Sequence, residues 1–204
     1  ENALKFAATA IAEGAAPDNE RAAQVIAAES RRLERLVADL LELAKLDARR
    51  FSLEVRPVDV AEVVADTAEG FRPAADEAGL ALTVTVPGPG ALRTDTDPDR
   101  LAQVVANLVE NALKFAATAI AVSAGANDEG GVTVVVEDDG PGIPTDERGR
   151  AFDRLHQSSR TPARRVGSGL GLAIVSELVG AMGGQVRAEP GTGGAGTRMV
   201  VDLR

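Results

Sequence analysis

Three polar interruptions, the last two marked by glycines, follow one another between Pro98 and Val175, each set against an apolar helix or strand. Their order constrains the fold more than any other feature of the chain. The first lies on a helix predicted over residues 98–121, with apolar Leu101, Val104, Val105, Leu108 and Leu113. Asn107, Asn111 and Lys114 fall on it at i, i+4 and i+7, so all three project from one face. Two carboxamides beside an ammonium suit a metal-bound polyphosphate: amide oxygens ligate or orient hydrated Mg2+, and the lysine offsets phosphate charge. A polar face turned to water is the alternative. The second interruption, residues 138–144 (DDGPGIP), directly follows an apolar strand run at 132–136. A carboxylate at a strand end can accept a hydrogen bond from a purine amine, and the two glycines let the main chain approach a ligand closely. The plain alternative is an acidic turn. The third, residues 167–175 (GSGLGLAIV), opens an apolar helix predicted to run to Met182 and offers main-chain N–H groups to an anion. A dinucleotide fold uses a similar run after a strand, but here a polar, basic stretch at 146–166 that reads as a loop precedes it.

The rest of the chain falls into two parts with different periodicity. Residues 20–50 read as a long amphipathic helix, with Ile26, Ser30, Leu33, Val37, Leu40 and Ala44 at alternating steps of four and three. Leu36, Leu41, Leu43 and Leu46 widen that stripe towards a helix-bundle face. Residues 14–18 (GAAPD) supply a stop, a breaker and an N-cap, so residues 1–13 are expected as the short arm of a helical hairpin. The pattern changes near residues 49–56. Leu53, Val55 and Val58 alternate like a strand, residues 60–78 are mostly helical with Gly79 as a stop, and residues 80–86 alternate again before PGPG at 87–90. Strands at 185–188 and 198–203 close the chain. The expected division is 1–50, a dimerising hairpin, and 51–204, an α/β sandwich. Residues 1–12 repeat residues 110–121 letter for letter (ENALKFAATAIA). The second copy is taken as the working one, because it alone sits among the other motifs.

Composition excludes several chemistries. The net charge of −9 argues against nucleic acid or an anionic membrane as the main partner. The chain has no Cys and one His, which removes disulfides, thiol nucleophiles and multi-histidine metal sites. No apolar run approaches the ~18–20 residues of a membrane span, residues 1–15 lack a signal pattern, and the segment is expected to be soluble.

Taken together, residues 51–204 resemble the catalytic ATP-binding domain of two-component sensor histidine kinases, within the wider gyrase, heat-shock and MutL ATPase fold group. NLVENALKF at 107–115 is similar to the N box, DDGPGIP at 138–144 to the first glycine box, and AFDRL at 151–155 to the F box. GSGLGLAIV at 167–175 is similar to the second glycine box, GAGT at 194–197 to a terminal one, and DPDRLAQVVANL at 97–108 has the family's cadence. Residues 14–50 resemble its dimerisation and phosphotransfer hairpin, truncated here. The implied fold class is α+β, a two-layer α/β sandwich of the histidine kinase, gyrase and Hsp90 ATPase type, preceded by a helical hairpin.

The resemblance implies ATP and Mg2+ as cofactors and transfer of the γ-phosphoryl group to a histidine, for relay to a response-regulator receiver domain. Asn111 would ligate Mg2+, Asn107 would support it through water or phosphate, and Lys114 would contact the phosphates. Phe115 would lie by the adenine, and Asp138 would accept from its exocyclic amine, with Gly140 and Gly142 shaping the pocket and Ile143 among the ATP-binding residues. Gly167, Gly169, Leu170 and Gly171 would hold the triphosphate, and Phe152 would anchor a lid. Arg154 or the Arg164–Arg165 pair would reach the γ-phosphate, and Thr197 would sit at the adenine end. Asn107, Lys114 and Arg154 are thus the catalytic candidates. Such a site works by placement and charge neutralisation.

One departure matters. The family's phosphoacceptor is a His followed by an acidic residue on the first hairpin helix, and this chain has no such pair; its His156 belongs to the lid region beside the F box. The chain is therefore expected to bind Mg·ATP without phosphorylating itself. Competing readings are a non-catalytic nucleotide-binding dimerisation module and another ATPase of the fold group. The latter places a Glu base four residues before the metal-binding Asn, where this chain has Asn107. The expected partners are a second copy through Ile26, Leu33, Val37 and Leu40, and a receiver domain. The expected parent is a bacterial inner-membrane receptor.

Overall fold

A computed structural model of the chain describes residues 52–128, 130–156 and 169–204, with scattered positions between Ala23 and Ala44. The chain divides into two units, Glu1–Ala44 and Lys45–Arg204. In the first, the described positions are helical, and Leu33, Val37, Leu40 and Leu41 are exposed. The short arm and turn expected over 1–18 lie outside the described residues.

The second unit runs β1 (Arg56–Asp59), α1 (Val60–Glu69), α2 (Arg72–Glu77), β2 (Ala81–Thr85), β3 (Arg93–Thr96), α3 (Pro98–Phe115), β4 (Ala119–Ala126), β5 (Val132–Asp138), α4 (Gly171–Ala181), β6 (Gln185–Pro190) and β7 (Thr197–Leu203). A five-stranded sheet has the order β2-β4-β5-β7-β6, parallel at β2–β4 and antiparallel elsewhere. β1 and β3 form a separate antiparallel pair. Registered rows such as Val84, Val122, Val136, Met199 and Ala188 line one face of the large sheet. Helices α1, α3 and α4 pack against the sheet, and α3 also packs against both other helices. Leu101, Leu108, Ile174 and Leu178 are at most 1% exposed, and each such burial contributes about 1.5–3 kcal/mol. The other face carries Thr133, Arg187, Arg198 and Asp202 at alternate positions, the polar side expected of an antiparallel sheet in a two-layer sandwich.

Three expectations need correction. The helix predicted over 98–121 stops at Phe115, and residues 119–121 begin β4, a strand the sequence reading did not identify. Alanine-rich 116–121 has high helix propensity, but the Asp139 carboxylate accepts the main-chain N–H groups of Ala117, Thr118 and Ala119. Those donors are lost to a continuing helix, so tertiary contact overrides propensity. The helix predicted over 60–78 is two helices, broken at Gly70–Phe71, where Pro73 can enter only a first helical turn. Gly79 does stop the second one: its φ is +70°, and Leu80 N donates to Ala75 O in a Schellman arrangement. Finally, the strand around Leu53, Val55 and Val58 forms only from Arg56, and its partner β3 went unpredicted.

Candidate nucleotide site

The site begins with the helix that carries its carboxamides. Asp97 caps α3: its Oδ1 accepts from Asp99 N (3.0 Å) and Arg100 N (3.1 Å), while its Oδ2 accepts from Glu54 N (2.8 Å). The apolar stripe of α3, through Leu108, Val109 and Ala112, is buried. Asn107, Asn111, Lys114 and Phe115 are left half-buried towards the C-terminal end. Asn107 Nδ2 is buried and finds no partner among the described residues. An unmade bond of that kind costs about 1–3 kcal/mol, and a donor without a protein acceptor suits a phosphate oxygen. Hard-cation chemistry asks for oxygen ligands with room for water, so the carboxamide of Asn111, one turn further on, fits a hydrated Mg2+.

Past the end of α3, the chain is held by Asp139. Its Oδ1 accepts from Ala117 N (2.9 Å), Thr118 N (2.9 Å) and Ala119 N (3.1 Å), and its Oδ2 from the Thr118 hydroxyl. These bonds, that of the Thr118 hydroxyl foremost, hold the carboxyl well below the usual carboxylate range. Asp138, the last residue of β5, is treated oppositely. It is 5% exposed and sits between Ile120 of β4 and Thr197 of β7 in the ladder. Burial pushes its pKa up from 3.8 to about 6, although the N–H groups of Gly140 and Thr197 both donate to the side chain and favour the ionised form. A buried carboxyl beside a half-buried helix end is suited to a neutral donor such as an amine.

Glycine is required where these segments meet. A Cβ on Gly140 would overlap the Phe115 carbonyl oxygen, and one on Gly196 (φ +79°) would overlap that of Asp138. Gly142 (φ +73°) would bring a Cβ to 2.8 Å from the Gly196 carbonyl oxygen. The end of α3, the segment after β5 and the start of β7 are thereby brought into direct main-chain contact. The turn before β7 is closed by Gly191 N to Gly196 O (3.2 Å) and Gly194 N to Gly191 O (2.8 Å). Glu137 Oε1 accepts from Thr192 N (2.5 Å) and fixes the same turn.

A second cluster surrounds the start of α4. Arg148 Nε donates to Ile143 O (3.1 Å), tying a short 3-10 turn, Arg148–Arg150, to the segment after β5. The chain then passes buried Ala151 and half-buried Phe152 to Leu155, whose φ is +60°. Leu155 N donates to Gly169 O (2.9 Å), joining this segment to Gly169 and buried Leu170 just ahead of α4. No side chain among the described residues caps α4 at Leu170, and a helix N-terminus of this kind suits an anion. The Arg154 guanidinium lies on α4, 3.3 Å from Glu177 Oε1. His156 Nε2 is buried with no partner among the described residues.

The predicted residues therefore form two groups. Phe115, at the end of the helix that carries Asn107, Asn111 and Lys114, meets Gly140, while Asp138 and Gly142 meet the start of β7 at Thr197 and Gly196. The segment carrying Phe152 and Arg154 meets Gly169, just ahead of Leu170 and Gly171, through Leu155. Ile143 links them through Arg148. Arg164, Arg165 and Gly167 lie outside the described residues. Sequence reasoning missed the structural parts played by Asp97, Glu137, Asp139 and Gly196. Asp97 and Gly196 lie within the motifs at 97–108 and 194–197 and the paired acid within 138–144, but nothing in spacing told which acid faces inward.

Comparison with known proteins agrees with this geometry. Residues 96–204 match the family described as histidine kinase-, DNA gyrase B- and HSP90-like ATPase. Signal transduction histidine-protein kinase AfsQ2 of Streptomyces coelicolor is 34% identical over 191 residues, 93% of this chain and 34% of the relative. Sensor-like histidine kinase SenX3 of Mycolicibacterium smegmatis is 32% identical over 182 residues, 87% of this chain and 47% of the relative. Among solved structures, full-length ShkA in complex with AMPPNP superposes with a TM-score of 0.75 at 35% identity, covering 90% of this chain and 38% of that one. The chain thus spans about a third to a half of the length of these relatives. It belongs to the histidine kinase-, DNA gyrase B- and HSP90-like ATPase family, and its second unit is the ATP-binding catalytic domain of a two-component sensor histidine kinase.

Proposed function

We propose that residues 51–204 bind Mg·ATP and present its γ-phosphoryl group to a histidine, from which it passes to an aspartate in a response-regulator receiver domain. The observation that carries this reading is Asp138: a buried carboxyl at a strand end, registered against Thr197 and closed round by main chain. In this reading Asp138 accepts from the adenine amine, with Thr197, Phe115, Gly140, Gly142 and Ile143 around the base. Asn107 donates to phosphate or to a metal-bound water, Lys114 neutralises phosphate charge, and Asn111 holds Mg2+. The ion, when bound, neutralises charge that develops as the bond from the γ-phosphorus to its bridging oxygen breaks. Gly167, Gly169, Leu170 and Gly171 supply N–H groups to the triphosphate, and Phe152 anchors the segment that covers it. Arg154, whose guanidinium rests on Glu177, turns towards the γ-phosphate when nucleotide is present; Arg165 is the other candidate.

Residues 1–50 are proposed as a dimerisation hairpin. The exposed Leu33, Val37 and Leu40 support a homodimer through it. No helix among the described residues is long and apolar enough to cross a membrane; the parent is proposed as an inner-membrane receptor with this part in the cytoplasm. A second reading, a nucleotide-binding module without turnover, is favoured by one fact: the chain's single histidine is His156, beside the F box. Calorimetric titration with ADP and a non-hydrolysable ATP analogue, with and without Mg2+, tests the first part. Micromolar binding is expected, and a folded chain that binds neither would overturn it. Incubation with ATP should leave no acid-labile, alkali-stable phosphate on the chain itself. Phosphate delivered to a separately supplied acceptor hairpin separates kinase from module.

A further inference from the structure

The carboxylate of Asp139 occupies a place that neither base recognition nor phosphate binding uses. It accepts three consecutive main-chain N–H groups and one hydroxyl from residues 117–119, and the Asp139 N–H donates back to Ala119 O (3.4 Å). The two halves of the site are anchored differently. Asp138 is held by strand neighbours on both sides, Ile120 and Thr197, and by its bond with Gly140 N. In the last turn of α3, Lys114 and Phe115 lie beyond Ala112, the last residue of the helix's buried stripe, with Asn111 just before it. From there the chain enters β4 through the turn that Asp139 grips, whose Thr118 O also accepts from Ala81 N (2.8 Å). Gly140, the next residue, is pressed against the Phe115 carbonyl, so any relaxation of that turn changes how the end of α3 meets the segment after β5.

We infer that Asp139 is a positioning residue that sets the metal and phosphate half of the site, on α3, against the base half, on β5, and so couples Mg2+ binding to nucleotide binding. This rests on the nucleotide reading above. A carboxylate suits the task because one oxygen can take several converging N–H groups, a small anion-binding nest filled from within the chain. Losing it leaves three main-chain donors to water and frees the turn, while the ladder around Asp138 stays intact.

The test measures ADP affinity by calorimetry, with and without Mg2+, for the unaltered chain, Asp139→Ala and Asp139→Asn, with Asp138→Asn as the base-half control. Amide exchange at residues 117–119 is followed in parallel. In Asp139→Ala, metal-free ADP affinity should change by less than about threefold, while the factor by which Mg2+ tightens binding falls by about tenfold, within the usual range of coupling between sites. Exchange at 117–119 should accelerate. Asp139→Asn, which keeps one acceptor oxygen, should show a smaller fall in the Mg2+ factor than Asp139→Ala. Should Asp139→Ala not fold, Asp139→Asn carries the test. Equal weakening with and without Mg2+ would reduce Asp139 to a structural residue, and an unchanged Mg2+ factor in Asp139→Asn would refute the coupling. An unaltered chain that binds no ADP overturns the nucleotide reading itself, and this inference with it.

Discussion

Replacing Asp138 with Asn separates what the site requires from what the fold prefers. The carboxyl is buried, and folding raises its pKa from 3.8 to about 6. Between those values the native chain holds a proton that the unfolded chain has released. Stability contributed by this group is therefore highest at low pH and falls as pH rises from about 4 through about 6. By pH 8 the gap between 3.8 and about 6 amounts to about 3 kcal/mol of destabilisation, taken as a ceiling. Asn has nearly the same shape and does not ionise. Its Oδ1 can still accept from Gly140 and Thr197, while its new N–H2 loses water without a partner, at a cost of about 1 kcal/mol. The net expectation is a gain of about 2 kcal/mol at pH 8 and a slight loss at pH 4.

Thermal unfolding between pH 4 and pH 8 reads this out. The chain has neither Trp nor Tyr, so far-UV circular dichroism is the natural probe. The variant-minus-parent difference matters, because other carboxylates titrate in both proteins. At roughly 2–4 °C per kcal/mol for a chain of this size, the two melting temperatures should draw apart by roughly 5–10 °C from pH 4 to pH 8, the variant melting higher at the alkaline end. The same variant should lose ADP binding, since its N–H2 would meet the amine that the carboxylate accepts. Parallel melting curves across the range would refute the burial argument. Undiminished ADP binding would refute Asp138 as the base acceptor, independently of the melts.

Other perturbations follow from the same geometry. Gly196→Ala must place a side chain at φ +79° against the Asp138 carbonyl; the left-handed backbone alone costs about 1–2 kcal/mol, and denaturant titration should show more than that, with ADP binding lost. Asp97→Ala removes the cap of α3 and the acceptor of Glu54 N together, so chemical denaturation should report a loss of about 2–3 kcal/mol. Glu177→Gln breaks the exposed pair with Arg154 and should move stability by less than about 0.5 kcal/mol; a larger drop in thermal melts would mean that this pair holds the segment after β5 in place.

What the sequence made legible was whatever a single segment could state alone. The face of α3 bearing Asn107, Asn111 and Lys114 follows from helical period, and the runs at 132–136 and 198–203 declare themselves as strands through their branched residues. The glycines of 140 and 142 signal close approach, though not what approaches; the structure answers with the carbonyls of Phe115 and Gly196. What stayed hidden depends on two segments meeting. The end of α3 could not be read from residues 112–121, because their alanines favour the helix to continue and the side chain that ends it belongs to Asp139, beyond an intervening strand pair. β3 is invisible for the same reason: RTDT at 93–96 has no apolar alternation, and it becomes a strand by pairing with β1 in register.

The same division explains why adjacent acids take opposite parts. On β5 successive side chains point to opposite faces, so Asp138 turns to the helix layer with Val136 and Val134 and is desolvated there. Asp139 follows the strand end, where the amides of the turn between α3 and β4 gather round it. One carboxyl is pushed up by burial and the other held down by donors, within two consecutive residues. Neither composition nor spacing could have assigned those roles. They follow from register: a one-residue slip of β5 against β4 and β7 would exchange them, burying the acid that now grips the turn and turning the proposed base acceptor out of the helix layer.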